Sequence, residues 1–185
     1  MLSTAAALLA ASLMAQGLPL RAEGVADIAA LHRQGNNEQA LIRVNAYLQS
    51  KPNDVEARFL KGLILTEQKN YPEAIQVFVA LTQDNPTLPE PYNNLAVVYA
   101  AQGRYTMARQ QLEMAISANP GYATAYENLG DVYARMASQA YGKAVELGGS
   151  GSGARTKLSL MQEFFARTRA AEATPPADQG PAPPQ

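Results

Sequence analysis

Residues 89–120 read PEPYNNLAVVYAAQGRYTMARQQLEMAISANP, and the fold of the whole chain follows from how this stretch is read. Leu95 and Tyr99 are four residues apart, and Ala108, Leu112 and Ala115 fall at i, i+4 and i+7. Each set makes an apolar stripe along one face of a helix. Gly103 lies between them and tolerates positive φ, so the chain can turn sharply there. Pro120 stops the second helix, and its ring pushes Asn119 out of the helical region. The stretch therefore predicts two antiparallel helices, with Ala96, Ala108 and Ala115 small enough to let their axes approach. A single hairpin of this kind cannot bury both faces and must stack on neighbours.

Those neighbours are present in the same sequence. Pro52, Pro86 and Pro120 lie 34 residues apart, twice in succession. Gly62, Leu65, Tyr71, Ala74 and Phe78 precede Pro86, while Leu31, Gly35, Ala40 and Val44 precede Pro52, with Tyr47 where the pattern prefers alanine. A fourth unit opens with Tyr126, Leu129, Gly130 and Tyr133. Self-similarity at a fixed period marks a stacked repeat array. Over about residues 23–147 these landmarks resemble the tetratricopeptide repeat (TPR) family. The resemblance implies an all-α, right-handed superhelix of stacked helical hairpins. Its repeats would occupy about 21–54, 55–88 and 89–122, with an atypical unit at 123–147.

The fourth unit departs from the pattern. In register, the turn glycine is due at 137 and the second-helix alanine at 142, but the chain has Ala137 and Gly142. Ala137, Tyr141 and Ala144 reproduce the second-helix spacing if about five residues, those of the turn, are missing. Read straight through, apolar or small residues at 126, 129, 130, 133, 136, 137, 140, 141 and 144 form one unbroken helical stripe. Gly130 and Gly142 each weaken a helix by about 1 kcal/mol relative to Ala without stopping it. One long fused helix is expected, ending at Gly148-Gly149.

Composition agrees with a helical chain holding one core: 185 residues, 47% hydrophobic, net charge −1 and no cysteine. The near-zero charge argues against nucleic acid or bulk membrane binding through a basic surface. Disulfide frameworks, thiolate metal sites and cysteine nucleophiles are excluded. Near the N-terminus Ala5–Ala15, AAALLAASLMA, is too short to span a bilayer and has the length of a signal-peptide core. Residues 1–22 are expected to be a signal peptide cleaved after Ala22, which makes the chain a periplasmic or secreted bacterial protein. The alternative is a cytoplasmic protein whose N-terminal helix belongs to the fold. At the other end, residues 148–154 read as a flexible Gly/Ser linker. Residues 155–170 read as an amphipathic capping or docking helix, with Leu158, Met161 and Phe165 on one face and Leu160 and Phe164 beside them. The Pro-rich stretch 171–185 is expected to be disordered.

No constellation points to chemistry. His32 is the single histidine, so no His pair is available for a metal or for acid–base work. Glu127 and Asp131, four apart, read as a solvated acidic face rather than a catalytic pair. Neither a catalytic site, a metal nor a cofactor is expected. The TPR resemblance places a concave groove along the first helix of each repeat. In the second repeat it would present Glu56, Phe59, Leu63, Thr66 and Glu67, and in the third Glu90, Asn93, Val97, Ala100 and Ala101. The fourth would add Thr124, Glu127, Asp131, Ala134 and Arg135. The basic clamp that some TPR co-chaperones close on a C-terminal carboxylate is missing here except for Asn93. The expected partner is another protein offering an extended segment with apolar anchors and a basic residue, rather than a small-molecule substrate. The function implied is that of a non-enzymatic adaptor in bacterial envelope assembly. The alternatives are a cytoplasmic co-chaperone or assembly factor, and an accessory module of a peptidoglycan-remodelling or secretion machinery.

Overall fold

A computed structural model describes residues 24–148 and 152–173. The expected signal peptide, residues 149–151 of the linker and the tail from residue 174 lie outside the described residues. Eight helices are described: α1 Val25–Arg33, α2 Asn37–Ser50, α3 Val55–Glu67, α4 Tyr71–Asp84, α5 Pro89–Ala101, α6 Tyr105–Ala118, α7 Ala123–Glu146 and α8 Ser152–Ala173. Consecutive helices pair as hairpins, and the hairpins stack in chain order into a superhelix. The odd-numbered helices touch in series, α1 on α3, α3 on α5 and α5 on α7. Among the described residues α2, α4 and α6 do not touch one another. The odd helices therefore line the inner, concave face.

The turns explain the period. The residue after each first helix must enter the left-handed region so that the chain can reverse. Gly35 at φ 77° and Gly103 at φ 72° do so without a Cβ clash. In the second repeat the same position is Lys69, held at φ 58°, although a side chain disfavours it. The next residue in this series is Ala137, which is an interior residue of α7. The left-handed residue arrives only at Gly148, φ 80°. With no residue able to reverse the chain at 137, α7 runs unbroken for 24 residues.

Close packing holds each hairpin shut. Ala40, Ala74 and Ala108 are fully buried at the contact of their helix pairs. A Cβ built on Gly62 would stand 2.6 Å from the Phe78 ring, so that ring lies directly on the α3 backbone. One core cluster joins Val25, Ile28, Ala40, Val44, Ala57, Leu60 and Ile64. A larger one runs from Leu65 and Phe78 through Leu95, Tyr99 and Leu112 to Val132. Stitches tie successive repeats. The Asp54 carboxylate caps α3 by accepting from the Ala57 amide at 3.0 Å, and the Tyr47 hydroxyl of the preceding repeat donates to it at 3.0 Å. That contact accounts for a tyrosine where the repeat pattern favours alanine. His32 is half-buried, with Nδ1 2.8 Å from Asn37 Oδ1 and Nε2 3.5 Å from Glu67 Oε1.

The C-terminal part differs from expectation in its boundaries. α8 starts at Ser152, so the last three residues of the expected linker are helical, and it continues through residues 171–173 of the expected tail. Its helix-forming Ala and Arg residues favour extension past a Gly-Ser start. Among the described residues α8 packs on α7 alone. Leu158, Met161 and Phe165 are half-buried there, while Leu160 and Phe164 are 54% and 40% exposed.

Candidate functional site

The concave face holds a groove between α5 and α7. It has a volume of about 680 Å³ and is lined by Val97, Ala100 and Ala101 of α5, by Tyr105 and Leu112 of α6, and by Asn128, Asp131, Val132 and Arg135 of α7. Its α5 wall leaves open space because the residues that recur there at helical spacing, Ala96 with Ala100 and Val97 with Ala101, are too small to fill it. Val97 is 40% exposed at this wall, an apolar side chain left facing solvent. Asp131 and Arg135, one turn apart on α7, bring one charge of each sign to the opposite wall. Phe165 of α8 backs Arg135, whose guanidinium sits 3.7 Å from the ring centroid.

The residues expected from the sequence separate into three groups. Val97, Ala100, Ala101, Asp131 and Arg135 come together around this groove, and Glu127 and Thr124 lie exposed on the same helix, with Ala134 half-buried. A second group is structural instead of exposed. Asn93 is 5% exposed and accepts a hydrogen bond from Asn128 Nδ2 at 2.7 Å. A buried amide must be paired, and the next repeat supplies the pair. Phe59 is half-buried and meets Phe78 edge to face at 5.8 Å between centroids, while Leu63 is likewise half-buried against the core. Both aromatic and aliphatic side chains are drawn inward because the superhelix curves over them. Thr66 turns its hydroxyl back to the Gly62 carbonyl at 2.8 Å. A third group is exposed but engaged: the Glu67 carboxylate accepts from Asn37 Nδ2 at 2.9 Å and faces His32. Glu56 and Glu90 are exposed away from the α5–α7 groove, and Asn94 donates to the Glu90 carbonyl at 2.9 Å.

Sequence reasoning missed Asn128, whose partner lies 35 residues away in the preceding repeat. That is one residue more than the 34-residue period, so repeat register pairs Asn128 with Asn94 and does not reveal the contact with Asn93. It also missed the open outer face of α7. Tyr126 and Tyr133 are 49% and 48% exposed, whereas Tyr92 and Tyr99 at the same points of the third repeat are 7% and 6% exposed.

Among the described residues no group of His, Asp or Glu is arranged to hold a metal ion, and no helix is long and apolar enough to cross a membrane. The TPR repeat family profile matches residues 62–103 and 98–136. No curated protein matches the chain. Among solved structures, YrrB, described as a TPR protein with an unusual peptide-binding site, is 26% identical with a TM-score of 0.54. That match covers 56% of this chain, which spans only 53% of YrrB, about half its length. A MamA fragment from Desulfovibrio magneticus is 19% identical with a TM-score of 0.55, covering 80% of this chain and 73% of that one. A tetratricopeptide repeat protein from Parabacteroides merdae is 14% identical with a TM-score of 0.59, covering 80% and 60%.

Proposed function

We propose that this chain, whose residues 62–136 match tetratricopeptide repeats, is a non-enzymatic scaffold that grips an extended segment of another protein in the groove between α5 and α7. The observation that carries the reading is the groove's make-up. Exposed Val97 and the small residues behind it offer an apolar seat, and Asp131 stands at the rim. An exposed apolar patch rimmed by polar groups marks an interaction site more often than neutral surface. The peptide-binding site named for YrrB supports the same use of a similar fold. A segment with a small aliphatic anchor followed by a basic residue fits best: the anchor fills the space over Val97, and the base meets Asp131 and Glu127. Asn93 is left out of this contact, because it is buried, does not line the groove, and its Oδ1 accepts from Asn128. We further propose that the protein works in the bacterial envelope as an assembly adaptor. The apolar run at 5–15 ends shortly before the first repeat, which supports export.

Crosslinking in the native host followed by mass spectrometry of captured proteins tests the scaffold reading. The wild-type chain and Val97→Asp are compared, both checked for unchanged helicity. The partner captured by the wild type should be lost with Val97→Asp. Equal capture by both chains sinks the groove reading. N-terminal sequencing of the native protein tests export: a start near Glu23 supports it, and an intact Met1 overturns it.

A further inference from the structure

The last hairpin leaves a helix-sized slot open, while the segment that matches the slot lies in the same helix. In the second repeat Phe78 lies on Gly62, 16 residues before it. On α7 the corresponding glycine is Gly130, and nothing stands within 4 Å of where its Cβ would be. Tyr126 and Tyr133 flank it, half-exposed where their third-repeat counterparts are buried. The second-helix pattern that should cover this face survives as Ala137, Tyr141 and Ala144. Tyr141 follows Gly130 by 11 residues, so the turn that would bring it back is five residues too short. A straight helix cannot fold onto its own face. Nor does α8 reach Gly130: nothing stands within 4 Å of its Cβ position, and the ring contacts between α8 and α7 fall at Arg135 and Tyr141.

We propose that two copies of this chain pair through α7, the Ala137–Ala144 half of each lying in the slot over Gly130 of the other. The arrangement is antiparallel and two-fold, with the axis passing between residues 135 and 136. Tyr141 of each copy then stands over Gly130 of its mate, as Phe78 stands over Gly62 within one chain. Such exchange of an identical element follows naturally from a hinge too short to close. The occupant is a second copy because the contact continues an interface that this chain already makes twice, in α3–α4 and α5–α6. No charged side chain lies in the stripe from Tyr126 to Ala144, and Gly130, Ala137, Ala140 and Ala144 permit close axes. Lys157, 5.4 Å from the Tyr141 ring centroid, is the exposed contact that must yield. Three part-exposed tyrosines per copy, at roughly 100 Å² each, bury about 600 Å² in total across the two copies, less than a stable specific interface needs. The dimer is therefore one that forms as concentration rises and dissociates on dilution.

Sedimentation velocity of the full chain across the micromolar range tests this. A concentration-dependent shift from monomer to dimer is expected. Gly130→Leu has open space within one chain, so its thermal midpoint should not fall, yet it fills the slot and should weaken dimerisation at least about tenfold. The chain has no cysteine, which permits a second, positional readout. Gly130→Cys and Tyr141→Cys chains, mixed and oxidised, should give a crosslinked heterodimer, with neither variant crosslinking comparably alone. A chain that stays monomeric at every concentration overturns the proposal. So does a dimer that Gly130→Leu leaves intact or that fails to crosslink between 130 and 141.

Discussion

The hairpin α3–α4 and the hairpin α7–α8 start from the same first-helix landmarks and end in different packing. In α3–α4 a left-handed residue at 69 reverses the chain, and Phe78 closes on Gly62 with no room for a methyl group. In α7–α8 the reversal is delayed to Gly148, and the second helix returns against Arg135, leaving Gly130 open. The difference shows that the glycine of a repeat is only a permission. What closes the hairpin is the aromatic residue that the turn delivers to it.

The largest effect should follow from removing that aromatic residue. Phe78 is fully buried against Gly62 and Phe59, so Phe78→Ala should cost about 3–5 kcal/mol. Phe165→Ala on α8 removes a half-buried ring and an Arg135 contact, and should cost less than half as much. Urea unfolding of both variants measures the ratio. Equal losses would mean that α8 closes its hairpin as firmly as α4 does.

The glycines themselves give the next test. Gly62→Ala drives a methyl group into the Phe78 ring, and overpacking of this kind costs about 1–3 kcal/mol. Ala108→Leu at the equivalent close contact of α5–α6 should fall in the same range. Gly130→Ala meets nothing and replaces the poorer helix former, so it should stabilise by up to about 1 kcal/mol. Opposite signs from two glycines at one repeat position are the outcome expected from thermal midpoints.

How much of this was legible in the sequence depends on the range of the contact involved. The hairpins were, because the stripe from Leu95 to Ala115 and the turns at Gly35 and Gly103 are local signals. The fused α7 was legible too, through the absent turn at Ala137. The groove was legible only in part. Position within the repeat placed Val97, Asp131 and Arg135 on the inner face, and they line the groove. The same rule placed Asn93 and Phe59 there, but it carries no information on what a neighbouring repeat covers. Asn93 is tied to Asn128 of the next repeat, and Phe59 packs on Phe78 of its own hairpin, a contact that the inner-face rule does not carry either. Where α8 docks was not legible at all, since its apolar face matches any apolar surface.

A smaller effect separates capped from uncapped repeats. Asp54 holds the start of α3, and its pKa lies below the ordinary 3.8 chiefly because the Ala57 amide donates to it, opposed by the next-largest effect, burial, with the Tyr47 hydroxyl and Lys51 adding to the lowering. A depressed carboxylate stabilises the fold at pH values above 3.8 and loses that contribution as pH falls through its folded value. Asp54→Ala should therefore cost about 1 kcal/mol at neutral pH, and the gap to wild type should narrow in acid below the ordinary carboxylate range. A gap that is constant with pH would assign the loss to packing instead.

The smallest effects come from the turn position itself, and they decide whether the two hairpins differ for the reason given. Lys69 occupies the left-handed region at φ 58°, where a side chain is strained and glycine is not. Lys69→Gly should then stabilise by roughly 0.5 kcal/mol, the strain relieved exceeding the extra freedom that glycine brings to the unfolded chain. Ala137 holds the same place in the repeat but lies inside α7, so Ala137→Gly should destabilise by up to about 1 kcal/mol. Urea midpoints at unchanged slope would register both shifts, because neither change alters the surface exposed on unfolding. The sign of the second is the informative one. If Ala137→Gly stabilises the chain, α7 breaks in solution where the other repeats turn. The unbroken first helix that distinguishes the last hairpin would then be absent.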